Sequence, residues 1–251
     1  MGKSTAGLIV LVAALVAGLQ LAQAGTVADA LASPERPAAD RERDARDHPG
    51  EILALLQLRE GDVVADIFAG GGYYSELIGR VVAPGGKVYL QNNAPYLEYA
   101  TEALATRFDG RDVRGVERLD SEAEQLGLGV NTLDAALIVM SYHDLYYGEE
   151  GWPAIDREDF MGQIVAALKP GGRFLIVDHA ARKGAGLEAT HTLHRIEESV
   201  ARRDIEAAGL SYIGGTEVLR NPQDDRSLQV FDPVIRGKTD RFVLLFEKPE
   251  D

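Results

Sequence analysis

The stretch Val63-Val64-Ala65-Asp66-Ile67-Phe68-Ala69-Gly70-Gly71-Gly72 constrains this chain most. A β-branched run meets one acid, three glycines follow at once, and Glu76-Leu77-Ile78-Gly79-Arg80-Val81-Val82 then repeats at helical spacing. That order predicts a strand, a tight turn and a helix N-terminus. Glycine takes the Cβ out of such a turn, so a ligand can lie against bare backbone. The first turn of the helix aims free N–H groups the same way. A glycine cluster alone is a weak signal, and its surroundings decide its meaning.

Those surroundings alternate. Residues 51–58 read as a short apolar-faced helix stopped near Gly61. Ala83-Pro84-Gly85-Gly86 breaks the chain before a second strand at 87–90. Pro95 is placed to open a helix running to Arg107, and residues 113–119 read as a third strand. Residues 133–140 are almost wholly apolar, as a strand buried on both faces requires. A helix over 160–168 ends at Lys169-Pro170-Gly171-Gly172, and a strand follows at 173–178. One long helix is expected from about Leu187 to Ala208, with Leu193, Ile196, Val200 and Ala207 on its buried face. Strands at 212–219 and 241–246 have no long helix between them, so they should pair antiparallel. The expected class is therefore α/β: a Rossmann-like, doubly wound, mostly parallel seven-stranded sheet with an antiparallel C-terminal strand. Ligands in such sheets sit at the carboxyl ends of the strands.

Composition removes several function classes. The formal net charge of -14 opposes nonspecific binding to nucleic acid or an anionic membrane. The absence of cysteine excludes disulfides, thiolate zinc and a cysteine nucleophile. Residues 1–24 have a basic start at Lys3, an apolar run and a small-x-small end at Ala22-Gln23-Ala24. This is the layout of a signal peptide, which predicts a periplasmic or secreted protein with no membrane span after cleavage. An uncleaved anchor is the competing reading, because the run nearly has the length to span a bilayer. Residues 25–50, with their alternating charges, read as a solvated linker or as a lid over the ligand site.

Four features in order resemble the class I S-adenosylmethionine-dependent methyltransferases: Asp66 to Gly72, Val82 to Val88, the strand at 133–140 with Ser141-Tyr142-His143-Asp144, and Leu168 to Arg173. Gly70-Gly71-Gly72-Tyr73-Tyr74, Tyr142-His143-Asp144 and Asp178-His179-Ala180 further resemble a group of exported bacterial methyltransferases. The resemblance implies one methyltransferase-like domain over 51–251, S-adenosylmethionine as cofactor and a small-molecule acceptor. It implies that Asp66 orients the methionine part and that Ala69, Gly70 and Gly72 pack backbone on the cofactor. Phe68, in place of the first glycine, and Ser141 join that set. Gln91 and Asn92, with Asn93 beside them, stand where a carboxylate usually grips the ribose, and amides can accept the same hydrogen bonds. Asp120 is placed near the adenine. A nicotinamide fingerprint fits less well, because Ser75 stands where its third glycine belongs and the second strand ends in amides.

Methyl transfer needs an aligned acceptor and, for a protonated acceptor, a base. His143 and Asp144 are the catalytic candidates, with His143 as general base because its ordinary pKa lies near neutrality. The alternative is that they only bond cofactor or loop backbone. Asp144, Asp178 and His179 have cation-ligand chemistry but complete no metal motif, so no metal is assigned. His191, His194 and Glu198 share the polar face of the late helix and read as solvated or capping residues rather than as metal ligands. Tyr142, Tyr146, Tyr147 and Trp152 read either as walls of an acceptor pocket or as core. Asp224 and Asp225 read as a turn before the last hairpin. The competing class of function is a noncatalytic exported binding protein that keeps the fold.

Overall fold

The computed structural model describes residues 26–250. The signal-peptide reading of 1–24 lies outside the described residues. Seven strands are β1 (Val63–Ile67), β2 (Lys87–Asn92), β3 (Val116–Asp120), β4 (Leu133–Val139), β5 (Leu168–His179), β6 (Ser211–Thr216) and β7 (Arg241–Glu247). They form one sheet in the order β3-β2-β1-β4-β5-β7-β6. Pairings from β3 to β5 are parallel, and β7 runs antiparallel to both β5 and β6. The strand order reverses between β1 and β4, and that switch opens a crevice above their carboxyl ends.

Burial on both faces follows from the pleat. In β4, Ala136 and Ile138 enter one apolar layer, while Ala135 and Leu137 enter the other. The first layer is closed by Phe160, Met161 and Ile164 of α6 (Arg157–Ala167) and by Ala201 and Ile205 of α8 (Glu198–Ala207). The second is closed by α3 (Pro49–Leu56) and α4 (Tyr73–Val82). Between β2 and β3 runs α5 (Ala94–Phe108), with Pro95 in its first turn as expected and Asn93 capping Tyr96 N–H at 3.2 Å.

Three expectations are corrected. The helix over 187–208 is two helices, α7 (Glu188–Leu193) and α8, broken where His194 takes a left-handed backbone at φ 52°. Arg195 then turns inward to a buried pair with Asp224 at 2.8 Å, and Ile196 bridges Ala180. The buried face of α8 is Ala201 and Ile205, while Ala207 is exposed. A 3.6-residue period carried through a broken helix loses its phase at the break. Second, Asp224 is the buried partner of Arg195 rather than a plain turn residue. Third, β5 begins at Leu168, so Lys169-Pro170-Gly171-Gly172 is an irregularity inside the strand, with a register shift opposite Leu133 and Ala135.

Residues ahead of α3 form α1 (Val27–Ala32) and α2 (Ala38–Asp47), which pack on the sheet's helical layer. Charge fastens α2. Arg36 pairs with Asp44 at 2.6 Å, Arg107 with Asp40 at 2.9 Å, and Tyr73 donates to Asp44 at 2.6 Å. Asp47 is buried and bonds both Arg43 and, at 2.8 Å, the buried Arg241 of β7. Among the described residues no helix is long and apolar enough to cross a membrane.

Removing one partner of a buried ion pair leaves the other charge without solvent or counterion. Asp47→Ala is expected to lower stability by about 3 kcal/mol in urea unfolding. It should also make α2 the first site of limited proteolysis. Unchanged stability and cleavage would show that Asp47 does not hold α2 to the sheet.

Candidate functional site

The glycine turn is built by side chains from the neighbouring strand. Chain direction reverses after Ile67 through Phe68 at φ 52°, Gly70 at φ 54° and Gly72 at φ 77°. Two buried amides at the end of β2 hold it. Gln91 Oε1 accepts from Phe68 N–H at 3.2 Å, and Gln91 Nε2 donates to the Ser121 carbonyl at 2.7 Å. Asn92 Oδ1 accepts from Gly70 N–H at 2.9 Å, and its Nδ2 donates to the Gly70 carbonyl at 2.9 Å. Gln91 and Asn92 were expected to face ribose hydroxyls. Instead they are spent on the turn, because an amide carries a donor and an acceptor and can pair with both sides of a peptide, which a carboxylate cannot.

The glycines divide their work. A Cβ on Gly70 would meet nothing within 4 Å, so its bare face opens on the cavity. A Cβ on Gly72 would stand 2.5 Å from Leu90 Cδ1, so this glycine serves helix–strand packing rather than the cavity. Gly71, which the sequence reading passed over, lies in the cavity wall. Asp66 lies beneath the turn, wholly buried, with Ser75 Oγ donating to it at 2.6 Å. Burial pushes its carboxyl up to about 7 against the Ser75 bond. Asp120 is corrected as well. It ends the edge strand β3, pairs with Arg118 at 2.9 Å on the exposed face and takes no part in the cavity wall.

The cavity, about 490 Å³, lies over the carboxyl ends of β1 and β4. Phe68, Ala69, Gly70 and Gly71 form one wall, and Ser141, His143 and Asp144 another. Tyr147 and Trp152 line it, whereas Tyr142 and Tyr146 are core, so both readings of that aromatic cluster hold for part of it. Tyr96 was missed by sequence reasoning. Its ring stacks on Phe68 at 4.8 Å, and its hydroxyl donates to Asp144 Oδ2 at 2.5 Å. Its place one residue after Pro95, past the end of β2, was the available signal. Arg43 of α2, His194 and Phe231 also reach the wall, Arg43 from the segment for which a lid was the alternative reading and Phe231 from an irregular segment that carries no local signal.

Asp178 organises the polar wall. Its Oδ2 accepts from His143 backbone N–H at 2.7 Å, and its Oδ1 faces His143 Nδ1 at 2.8 Å. His143 Nε2 faces Asp144 Oδ1 at 3.2 Å. Burial pulls the His143 pKa down, but Asp178 and Asp144 outweigh it and raise it to about 9. The two carboxylates therefore favour the protonated ring over the free base at neutral pH. His179, depressed to about 3 by burial, and His194, also lowered by burial, are the neutral imidazoles of the wall.

Comparison with known proteins is consistent with this geometry. No protein-family model matches the chain. It is 46% identical over 56 residues, 22% of each chain, to a protein-L-isoaspartate O-methyltransferase of Aeropyrum pernix. It is 28% identical over 127 residues to a ubiquinone/menaquinone biosynthesis C-methyltransferase of Stutzerimonas stutzeri, covering 50% of this chain and 45% of the relative. The chain thus spans less than half the length of these two curated relatives. A structure of a SAM dependent methyltransferase from Aquifex aeolicus superposes with a TM-score of 0.56 at 23% identity, over 84% of this chain and 98% of that one. The fold is that of the class I S-adenosylmethionine-dependent methyltransferases.

Asp66 sets a pH dependence. Its folded pKa is raised, so the unfolded state gives up its proton first. The stability it contributes is complete below the unfolded value near 3.8 and is lost as pH rises through about 7. Asp66→Asn keeps an acceptor for Ser75 and cannot ionise. Its stability relative to the wild type is expected to rise across that window by an amount on the order of 4 kcal/mol, then level off. Parallel urea midpoints for the two proteins from acid to neutral pH would refute this.

Proposed function

We propose that this chain is an S-adenosylmethionine-dependent methyltransferase that acts on a small molecule or envelope component after export from the cytosol. One observation carries the reading. The bare backbone of Gly70 and Gly71 and the polar wall of Ser141, His143 and Asp144 face each other across a single cavity. At about 490 Å³ the cavity is within the size range of small-molecule sites. The Cβ-free face of Gly70 fits a cofactor lying on the turn. S-adenosylmethionine supplies an electrophilic methyl carbon on a sulfonium. Phe68 to Gly71 would hold it from below, with Tyr96 and Ser141 at its sides. Tyr147, Trp152 and Phe231 exclude water from the other half and favour an apolar or aromatic acceptor. The names of the relatives support the methyltransferase class, and the layout of residues 1–24 supports export.

A second reading, an exported binding protein that retains the fold, is favoured by one observation. Gln91 and Asn92 direct their amides into the glycine turn, and neither lines the cavity.

Isothermal titration with S-adenosylmethionine and S-adenosylhomocysteine separates the two. Binding of both is expected. Gly70→Ala and Gly70→Val project a Cβ into the cavity from a left-handed position, at a backbone cost of about 1 kcal/mol or somewhat more. Each is expected to weaken binding about tenfold or more, with circular dichroism unchanged. No binding by the folded wild type would sink the enzyme reading and leave the second. For export, expression in a Gram-negative host should yield a periplasmic protein whose N-terminal residue is Gly25. An intact chain beginning at Met1 in the cytosol or inner membrane would overturn export.

A further inference from the structure

His143, Asp144 and His194 converge on one point of the cavity wall, their ligating atoms all within 4.8 Å of one another. We propose that these three residues bind a first-row divalent metal ion whose remaining coordination positions open on the cavity.

Each donor is presented by a separate device. His143 is fixed by Asp178, which holds Nδ1 at 2.8 Å and the backbone N–H at 2.7 Å. A carboxylate behind a histidine in this way sets the tautomer and leaves Nε2 as the ligand. Asp144 is fixed by Tyr96, whose hydroxyl occupies Oδ2 and leaves Oδ1 for the shared point. Its Oδ1 stands 3.2 Å from His143 Nε2. Two donors about 2.1 Å from one ion lie roughly 3.0–3.4 Å apart, so this pair already has the required span. A neutral His143 with its proton on Nδ1 would aim a lone pair at that carboxylate. Either a proton on Nε2 or a cation must stand between them.

His194 arrives from the opposite side. Its Nδ1 lies 4.0 Å from the same Asp144 Oδ1, about an ångström wider than one ion needs, which a small ring rotation closes. His194 stands at φ 52° in the break between α7 and α8. Left-handed backbone at a non-glycine residue costs energy and persists where the surroundings impose it. A ring proton on His143 accounts for its pairing with Asp144, and the His194 ring is packed against Phe231 at 5.2 Å and Tyr147 at 5.3 Å. A single ion would use both approaches, because Asp144 Oδ1 faces both imidazoles.

Two imidazole nitrogens and one carboxylate oxygen suit Zn²⁺, Mn²⁺, Fe²⁺, Co²⁺ or Ni²⁺ better than the all-oxygen ions Mg²⁺ and Ca²⁺. Three protein ligands with open positions is the pattern of reactive rather than structural sites. Asp178 and His179, grouped with Asp144 from sequence, do not join them as ligands. Asp178 supports His143 from behind, and His179 Nδ1 is bonded to Thr239 Oγ1 at 2.7 Å.

The test titrates Co²⁺ into the full chain after chelator dialysis. One Co²⁺ per chain is expected, with visible ligand-field absorption that Zn²⁺ abolishes by displacement. Proton NMR of the Co²⁺ form should show shifted exchangeable signals from two imidazoles. His194→Asn, a residue that tolerates left-handed backbone, and Asp144→Asn should each weaken Co²⁺ binding about tenfold or more. His191→Asn, on the exposed side of α7, should leave it unchanged. Absence of Co²⁺ absorption or of shifted imidazole signals in the folded wild type would overturn the proposal. So would binding that folded His194→Asn and Asp144→Asn leave intact. His143 and Asp144 would then be an ion pair and nothing more. These readouts do not involve methyl transfer, so the metal site stands or falls apart from the proposed activity.

Discussion

Asp178 is the residue on which the site depends. It sees no solvent, and its two oxygens accept from His143 N–H, His179 N–H and the His143 ring. A buried carboxylate is tolerated only when its lone pairs are satisfied, and here satisfying them shapes the site. Because β5 lies beside β4, Asp178 pulls the chain that follows β4 into the 3-10 turn at Tyr142–Tyr146. That turn presents Asp144 to the cavity, where Tyr96 from across the β1–β2 side completes its bonding. The polar wall is therefore a consequence of one strand order and one buried charge.

The opposite wall follows a similar logic with neutral groups. Asn92 pairs with both the N–H and the carbonyl of Gly70, and Gln91 accepts from Phe68 N–H. These bonds hold Phe68 in a conformation that glycine takes more readily, with its ring stacked between Tyr96 and Phe160. Phe68 at φ 52° and the two amides that hold its turn form one unit. A side chain at φ 52° needs a fixed turn, and amides fix it where a carboxylate would leave a carbonyl unpaired.

Much of the fold was legible because it rests on short-range signals. The β-branched run at β1, the apolar run at β4 and the Pro95 helix start are each written within a few residues. The phase of the late helix was not legible, because His194 and Arg195 are displaced by partners far along the chain, Asp144 and Asp224. The cavity residues divide the same way. Gly70, Ser141, His143 and Asp144 sit at strand ends that the topology rule marks. Arg43, His194 and Phe231 reach the cavity from α2, a helix break and an irregular segment. Asp120 stood at a strand end too, but on the edge strand, where its side chain turns outward to Arg118.

By itself the sequence determined the α/β class, the glycine turn, the charge balance and the presence of a Tyr-His-Asp run and an Asp-His run at strand ends. Those depend on local spacing and on residue chemistry, which need no knowledge of neighbours. Only the tertiary structure decided what each polar group is bonded to. It turned Gln91 and Asn92 from ribose ligands into turn supports, placed the His143 ring between two carboxylates, and made His194 a part of the wall. A polar side chain's role is set by the partners and solvent around it, and those are fixed only when distant segments pack together.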